Sequence, residues 1–379
     1  MNNPHNKIII GINACRARSG GAYIHLKNIL NYLDKEKFNI HKIHIWSHKK
    51  LLNTLDDKDW IIKHNPSKLE SNIVAQVFWE KQELLKQLLL TECSILFNID
   101  AGSLCRFKPM VTMSRDMLSY EPKEIVRFGF LQILRLIVLR YVQNLSLQNS
   151  HSVIFLTKYA GNKIQQYTGK LKNVSIINHG LGKNFKSMKK KKFNPNIRLK
   201  CIYISNVFPY KHQAEVIDGV NLVKKQGYDI KLELVGIGQD KLSNKILKKI
   251  RTIDPKNKFI EAKEFQDHKI IPNLIDAADI FIFASSCENM PNTLVEGMSM
   301  QIPIICSNYG PMPEVLEDGG LYFDPEKPKE LEKCILNLIK KPDLADRLAK
   351  KAKQISAKYS WEKCSNDTFS LIKNIVEKK

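Results

Sequence analysis

A chain of 379 residues, 43% hydrophobic and 26% charged, with 17 Gly and 15 Pro, has the length for two or three domain cores. That composition excludes collagen, low-complexity disorder and a disulfide-stapled miniprotein. The formal charge of +22 is unevenly placed: residues 1–198 carry 32 basic and 13 acidic side chains, residues 199–379 carry 28 and 25, and 125–198 holds 14 basic residues and no acid.

The first half reads as alternating strand and helix. KIIIGIN (7–13) predicts a short apolar strand, Ser19-Gly20-Gly21 a small-residue turn, and 22–33 an amphipathic helix. Strand, glycine turn and helix open a nucleotide-fold-like unit, although the spacing is not GxGxxG. Further strands are predicted at 42–46, 94–98, 111–113, 153–156 and 174–177, with helices between them. The apolar run FGFLQILRLIVLRYVQNL from Phe128 is interrupted by Arg135 and Arg140 and is no membrane span. It reads either as a core helix with arginines at its rims or as a helix that docks on an anionic membrane. KNFKSMKKKKFNPNIR (183–198) is basic, broken by proline and non-periodic, which marks a linker.

A second alternating series follows. Strands are predicted at 199–204, 230–235, 258–260, 279–284, 303–306 and 320–323. Helices are predicted at 212–225, 241–250, 270–277, 292–300, 328–338 and 343–358 and from Ser360 onward. The domains are therefore drawn as 1–185, a linker 186–198, a second domain 199–358 and a C-terminal helix 359–379. Two such series argue two doubly wound α/β lobes, with ligand expected between them at the carboxyl ends of the strands. The eight cysteines form no CxxC pair or zinc-spaced cluster, and read as small buried residues of a reducing compartment. The N-terminus lacks the apolar core and cleavage site of a secretory signal, so a cytoplasmic location is expected.

Chemistry concentrates in FIFASSCENMPNTLVEGMSMQIPIICSNYGPMPEVLEDGGLYFDP (281–325). An apolar strand leads to a loop holding Glu288. Asn292-Thr293 then start a helix that carries Glu296, eight positions after Glu288. Free N–H groups at a helix start suit a phosphate, Glu296 suits two vicinal ribose hydroxyls, and Glu288 a neutral polyol such as a sugar. The plain alternative for both acids is capping and dipole pairing at the helix start. Asp57-Lys58-Asp59 spells a D-x-D metal motif but lacks the preceding apolar strand, and reads as a charged turn.

This block resembles the donor-binding signature of the family-4 (group 1) retaining glycosyltransferases of the two-Rossmann GT-B fold. ISNVFPYKHQ (204–213), LVGIGQD (234–240) and SWEKC (360–364) are similar to further family segments in the right order. Looser likenesses lie in MSRDMLSYEP (113–122), FLTKYA (155–160), NHGL (178–181) and the Ser19-Gly20-Gly21 turn. The resemblance implies an α/β GT-B protein whose two Rossmann-like lobes face a central cleft. The first lobe would take the acceptor and the second a nucleotide-diphosphate sugar.

Carried over by position, Lys211 would neutralise the donor diphosphate, Glu288 contact the sugar near the reacting carbon, and Glu296 hold the ribose. Backbone N–H groups of Asn292, Thr293 and Leu294 would bind phosphate, while Gly20 and Gly21 admit the pyrophosphate. Asn206 stands where the family usually has arginine, leaving Arg16, Arg18 or Arg115 as candidate substitutes. Asp116 is matched to sugar or acceptor, with a helix N-cap as the alternative, and His179 reads as structural. The expected activity is retaining transfer of a hexose or N-acetylhexosamine to a lipid-linked glycan acceptor in cell-surface polysaccharide synthesis. It would need no metal or other cofactor and would run on the cytoplasmic face of an anionic membrane. Arg127, Arg135, Arg140 and Lys189, Lys190, Lys191 and Lys192 are the candidate membrane or acceptor contacts. The rivals are a sugar-nucleotide epimerase of the same fold, a non-enzymatic basic binding protein, and a nucleic-acid binder. Against the last, no RNA or DNA module motif is present, and aromatics do not interleave the basic run.

Overall fold

The computed structural model describes residues 7–18, 20–185 and 192–378. The chain divides into two compact units. One comprises Met1–Tyr120, Phe130–Gly180 and Ser360–Lys379; the other comprises Glu121–Gly129 and Leu181–Tyr359. The sequence reading drew its boundary at 185 and left 121–129 in the first domain, where no composition shift marks the excursion.

In the first unit seven strands form one parallel sheet. They are β1 (Ile8–Asn13), β2 (Ile40–Trp46), β3 (Ile61–His64), β4 (Ile95–Asn98), β5 (Met110–Ser114), β6 (Ser152–Phe155) and β7 (Val174–Ile176). The order is β3-β2-β1-β4-β5-β6-β7. The edge strand β3 was not predicted. Its sequence IIKH is only half-buried on every residue, so it carries no apolar run to read. Lys63 from this strand pairs with Asp57 at 2.6 Å, and Asp57 is exposed, which fits the charged-turn reading of the D-x-D tripeptide.

The second unit contains β8 (Leu199–Ile204), β9 (Ile230–Ile237), β10 (Ile260–Glu264), β11 (Ile280–Phe283), β12 (Ile304–Ser307) and β13 (Leu321–Phe323). They form a parallel sheet in the order β10-β9-β8-β11-β12-β13. Strands β11 and β12 bury every residue, as a parallel sheet covered on both faces requires. β10 meets its predicted range only at Ile260 and runs on to Glu264, because charges are absorbed across strands. The fully buried Glu233 on β9 is held by Lys200 of β8 at 2.7 Å and Lys263 of β10 at 2.8 Å, and Lys231 reaches Glu261 at 2.5 Å. Cross-strand neutralisation lets EAKE, a polar segment by composition, pair as a strand. In both sheets the chain reverses direction of travel between the first and fourth strands, which in doubly wound folds is where ligands bind.

The helix Trp361–Glu377 packs within the first unit. Ser360 caps it by accepting the Lys363 N–H, and Ser365 Oγ donates to the Ile29 carbonyl at 2.7 Å. A Cβ at Gly180 would lie 2.0 Å from the Trp361 backbone nitrogen, so that approach requires glycine. His25 lies alongside, fully buried, with its ring 4.8 Å from that of His179 and 5.9 Å from that of Trp361. Among the described residues neither ring nitrogen of His25 has a hydrogen-bond partner.

The helix Phe130–Gln148, the apolar run of the sequence, buries Leu136, Gln143, Ser146 and Leu147. Phe130, Leu131, Leu134, Val138 and Tyr141 are exposed, and their spacing places them along one helical stripe. No helix among the described residues is long and apolar enough to cross a membrane.

Burial pushes the His25 imidazole well below its usual value, with His179 adding to the effect, and burial and then His64 bring His44 down to about 4. A base held neutral in the folded chain, but free to take a proton near pH 6.5 when unfolded, makes stability fall as pH drops below 6.5. The urea midpoint should therefore decline between pH 7 and pH 5, and less steeply in His25→Leu. Parallel pH profiles for the two proteins would contradict this account of His25.

Candidate functional site

The site in the second unit begins where β8 ends. Gln213 Nε2 donates to Ser205 Oγ at 2.8 Å and to the Asn206 carbonyl at 3.0 Å, fixing the loop's course. The short 3-10 turn Pro209–Lys211 follows, and His212 leaves it in the left-handed conformation, with φ 53°. Tyr203 OH donates to the Lys211 carbonyl at 2.6 Å. Backbone and side chain together thus aim the Lys211 ammonium, which forms an ion pair with Glu288 from the loop after β11. The same ammonium lies 5.5 Å from the Tyr210 ring and 5.9 Å from the Phe283 ring, close enough for cation–π attraction.

Two further bonds join these loops. The Ser286 N–H donates to the Tyr210 carbonyl at 2.9 Å, and His212 Nε2 lies 2.8 Å from Ser286 Oγ. Burial, reinforced by the nearby Arg127 charge, holds His212 at about 4. Arg127 itself pairs with Glu124 at 2.7 Å and with Glu326. Its guanidinium is thus paired within the second unit.

The helix Asn292–Ser299 begins at Pro291 with no side-chain cap and no acid in its first turn. Its free N–H supply is smaller than expected. The Asn292 N–H donates to the Met290 carbonyl and the Leu294 N–H to the Pro291 carbonyl, each at 3.0 Å. Leu294 also turns its side chain into the core. A tight turn has consumed these donors, so of the three N–H groups expected to meet a phosphate that of Thr293 remains. One turn on, Glu296 Oε1 lies 2.8 Å from His268 Nε2. Burial raises the carboxyl of Glu296 above its ordinary range, and the hydrogen bond to Glu296 raises His268.

These groups line a single pocket of about 380 Å³. Asn206, Lys211, Glu288, Asn292, Thr293 and Glu296 all border it, joined by Ser205, Gly236, Phe265, Gln266 and His268. Leu294 does not. Lys211 is the one Lys or Arg among the described residues at its wall, and Asn206 brings no charge. Sequence reasoning missed Gly236 and His268 as site residues. The first had a signal in LVGIGQD; the second lies outside every matched motif.

The remaining candidates, Lys189, Lys190, Lys191 and Lys192 apart, belong to the first unit. Gly20 and Gly21 open the helix Gly20–Asn31, and a Cβ at Gly21 would lie 3.7 Å from Arg115 NH2. Burial lowers Arg115 from its ordinary value, with Asp100 opposing. Arg16 is answered by the buried Glu80 at 3.1 Å, whereas Arg18 is exposed. Asp116 accepts the Leu118 N–H at 3.2 Å and Gln143 Nε2 at 3.4 Å. It stabilises the turn at Leu118–Tyr120, which is the capping geometry of the alternative reading. Arg135 is exposed, and Arg140 sits 4.7 Å over the Tyr167 ring. Lys192 is exposed; Lys189, Lys190 and Lys191, with 186–188 of the expected linker, lie outside the described residues. Among the described residues no group of three or more His, Cys, Asp or Glu gathers to hold a metal ion.

Residues 184–355 match the family described as glycosyl transferases group 1. An uncharacterized glycosyltransferase of Methanocaldococcus jannaschii is 27% identical over 230 residues, 59% of this chain and 60% of that protein. The O-antigen chain mannosyltransferase B of Escherichia coli is 29% identical over 103 residues, 27% of each chain. The chain therefore spans less than two thirds of the length of these relatives. Among solved structures, Anabaena HepE in complex with UDP and glucose superposes with a TM-score of 0.73 at 17% identity, covering 96% of this chain and 98% of that one. The likeness is one of fold: two parallel-sheet Rossmann-like domains of the GT-B kind.

Gly236 gives the pocket a direct stability test. It has φ 106°, and a Cβ there would lie 2.5 Å from the Ser205 carbonyl oxygen. Gly236→Ala should cost about 2–3 kcal/mol through backbone strain and overpacking, read as a lowered urea midpoint. An unchanged midpoint would show that the two strand ends do not approach so closely.

Proposed function

We propose that the chain, whose residues 184–355 match the family described as glycosyl transferases group 1, moves a hexose or N-acetylhexosamine from a nucleotide-diphosphate sugar to a lipid-linked glycan acceptor. The observation that carries this reading is the pairing of Lys211 with Glu288 in a pocket that Glu296 also lines. In this reading the cation meets the diphosphate, its paired carboxylate the sugar, and the second carboxylate the ribose. A pocket of this size suits a small-molecule ligand.

In this reading the donor exchanges the ion pair. The diphosphate draws the Lys211 ammonium away from Glu288, and the freed carboxylate accepts hydroxyls of the sugar. As the bond from the anomeric carbon to the phosphate oxygen breaks, charge builds on the leaving diphosphate. Lys211, the Thr293 N–H and the positive end of the helix Asn292–Ser299 stabilise that charge. The acceptor hydroxyl attacks from the face the phosphate leaves. Its proton passes to a phosphate oxygen, and configuration is retained. Lys211 and the oriented N–H do the electrostatic work, so no metal is called for.

A screen of UDP-, GDP-, ADP- and dTDP-sugars in the presence of EDTA should find turnover with at least one donor. Lys211→Ala and Glu288→Ala should each lower it by two orders of magnitude or more. Near-wild-type turnover in either variant would overturn the site assignment. Isomerisation of the donor without transfer would favour the epimerase reading, and dependence on added Mn²⁺ would overturn the metal-free step.

The acceptor side of the proposal rests on the first unit. The exposed stripe of Phe130, Leu131, Leu134, Val138 and Tyr141 lies in a segment free of acids, so apolar insertion and attraction to anionic headgroups act together. Each surface Lys or Arg adds about 1 kcal/mol near such a membrane. Flotation with phosphatidylglycerol vesicles should fall as salt rises, and Leu131→Ser with Leu134→Ser should weaken it about tenfold. Vesicle binding unchanged by the double substitution would remove the helix from the docking surface.

A further inference from the structure

His268 enters the pocket from the turn between β10 and the helix Ile271–Asp276. Its ring is backed by Phe185, with centroids 5.1 Å apart at an angle of 56°, and Phe185 is itself buried. Its Nε2 lies 2.8 Å from Glu296 Oε1. Among the described residues this is the one side chain bonded to a carboxylate that the protein otherwise removes from water. A carboxylate so placed needs a partner to stay ionised and to keep one orientation. The imidazole takes Oε1, which leaves Oε2 for a ligand on the pocket side.

We infer that His268 is a specificity-determining residue. Braced by Phe185, it fixes Glu296 so that the free carboxylate oxygen accepts a ribose hydroxyl, and the site thereby selects ribonucleoside diphosphates over their 2′-deoxy counterparts. The inference rests on the proposed reading of Glu296 and narrows the donor class to sugars carried by a ribonucleotide. His268 acts through Glu296 and does not touch the reacting carbon. It therefore belongs to donor affinity and discrimination, not to the rate of transfer from a filled site. A polar site built to bond a hydroxyl rejects the analogue lacking it, because its own group is left unpaired.

The test is isothermal titration of wild type, His268→Ala and His268→Gln with UDP and GDP, and with the 2′-deoxy form of whichever binds. Wild type should prefer the ribonucleotide by about tenfold or more. His268→Ala should lose about tenfold for the ribonucleotide and less than about twofold for the deoxy form, collapsing the preference. His268→Gln, whose amide N–H also donates, should recover most of it, and kcat at saturating donor should stay within about twofold. Equal losses for ribo and deoxy forms, or a preference that survives in His268→Ala, would overturn the inference while leaving the functional reading in place. Failure of the wild-type protein to bind either diphosphate would overturn that reading and the inference with it.

Discussion

Among the described residues one ammonium, that of Lys211, is the Lys or Arg cation of the pocket, and the protein answers it with Glu288. Much of the local structure serves to bring these two groups together. They come from the loops after β8 and β11, neighbouring strands at the point where the sheet order reverses. The Ser286–Tyr210 backbone bond and the His212–Ser286 side-chain bond keep the two loops in register. The left-handed His212 ends the turn that presents Lys211, and burial keeps its imidazole neutral. Satisfying a half-buried lysine with a carboxylate makes the empty geometry stable and the exchange with a phosphate chemically symmetrical. In the proposed exchange an anion would replace an anion on the lysine, and hydroxyls would replace an ammonium on the carboxylate.

The net charge of +22 reads differently once the chain is divided by its compact units. Assigned that way, the first unit carries +13 and the second +9, a smaller contrast than the halves of the sequence suggest. The difference arises from 181–198, which is basic and joins the second unit. What remains distinctive in the first unit is local. Phe130–Gly180 has no acid, and its long helix turns an apolar stripe outward beside exposed Arg135. Charge near a membrane acts within a Debye length, so this local balance matters more than the total.

Elements with buried apolar runs were legible in the sequence because a parallel sheet covered on both faces demands them. KIIIGIN, CIYI, FIFA and IICS all read as strands. β3 and the outer part of β10 were not legible, since the first is half-buried and the second hides its charges in cross-strand pairs with Lys231 and Glu233 that no local pattern displays. Glu288, Glu296 and Lys211 could be picked out by residue type and spacing. Spacing could not show that Lys211 and Glu288 hold each other, because 77 residues separate them. Nor could it show that Leu294 spends its N–H on a tight turn or that Arg127 is locked between Glu124 and Glu326. His268 was invisible for the same reason: its meaning lies in a contact with Glu296 across 28 residues.

The exchange of partners at Lys211 is the centre of the account, and a crystal structure with a bound nucleoside diphosphate tests it most directly. The account requires the Lys211 ammonium within hydrogen-bonding distance of a phosphate oxygen and parted from Glu288, with the ribose against Glu296. A nucleotide seated elsewhere while the Lys211–Glu288 pair stays closed would contradict it.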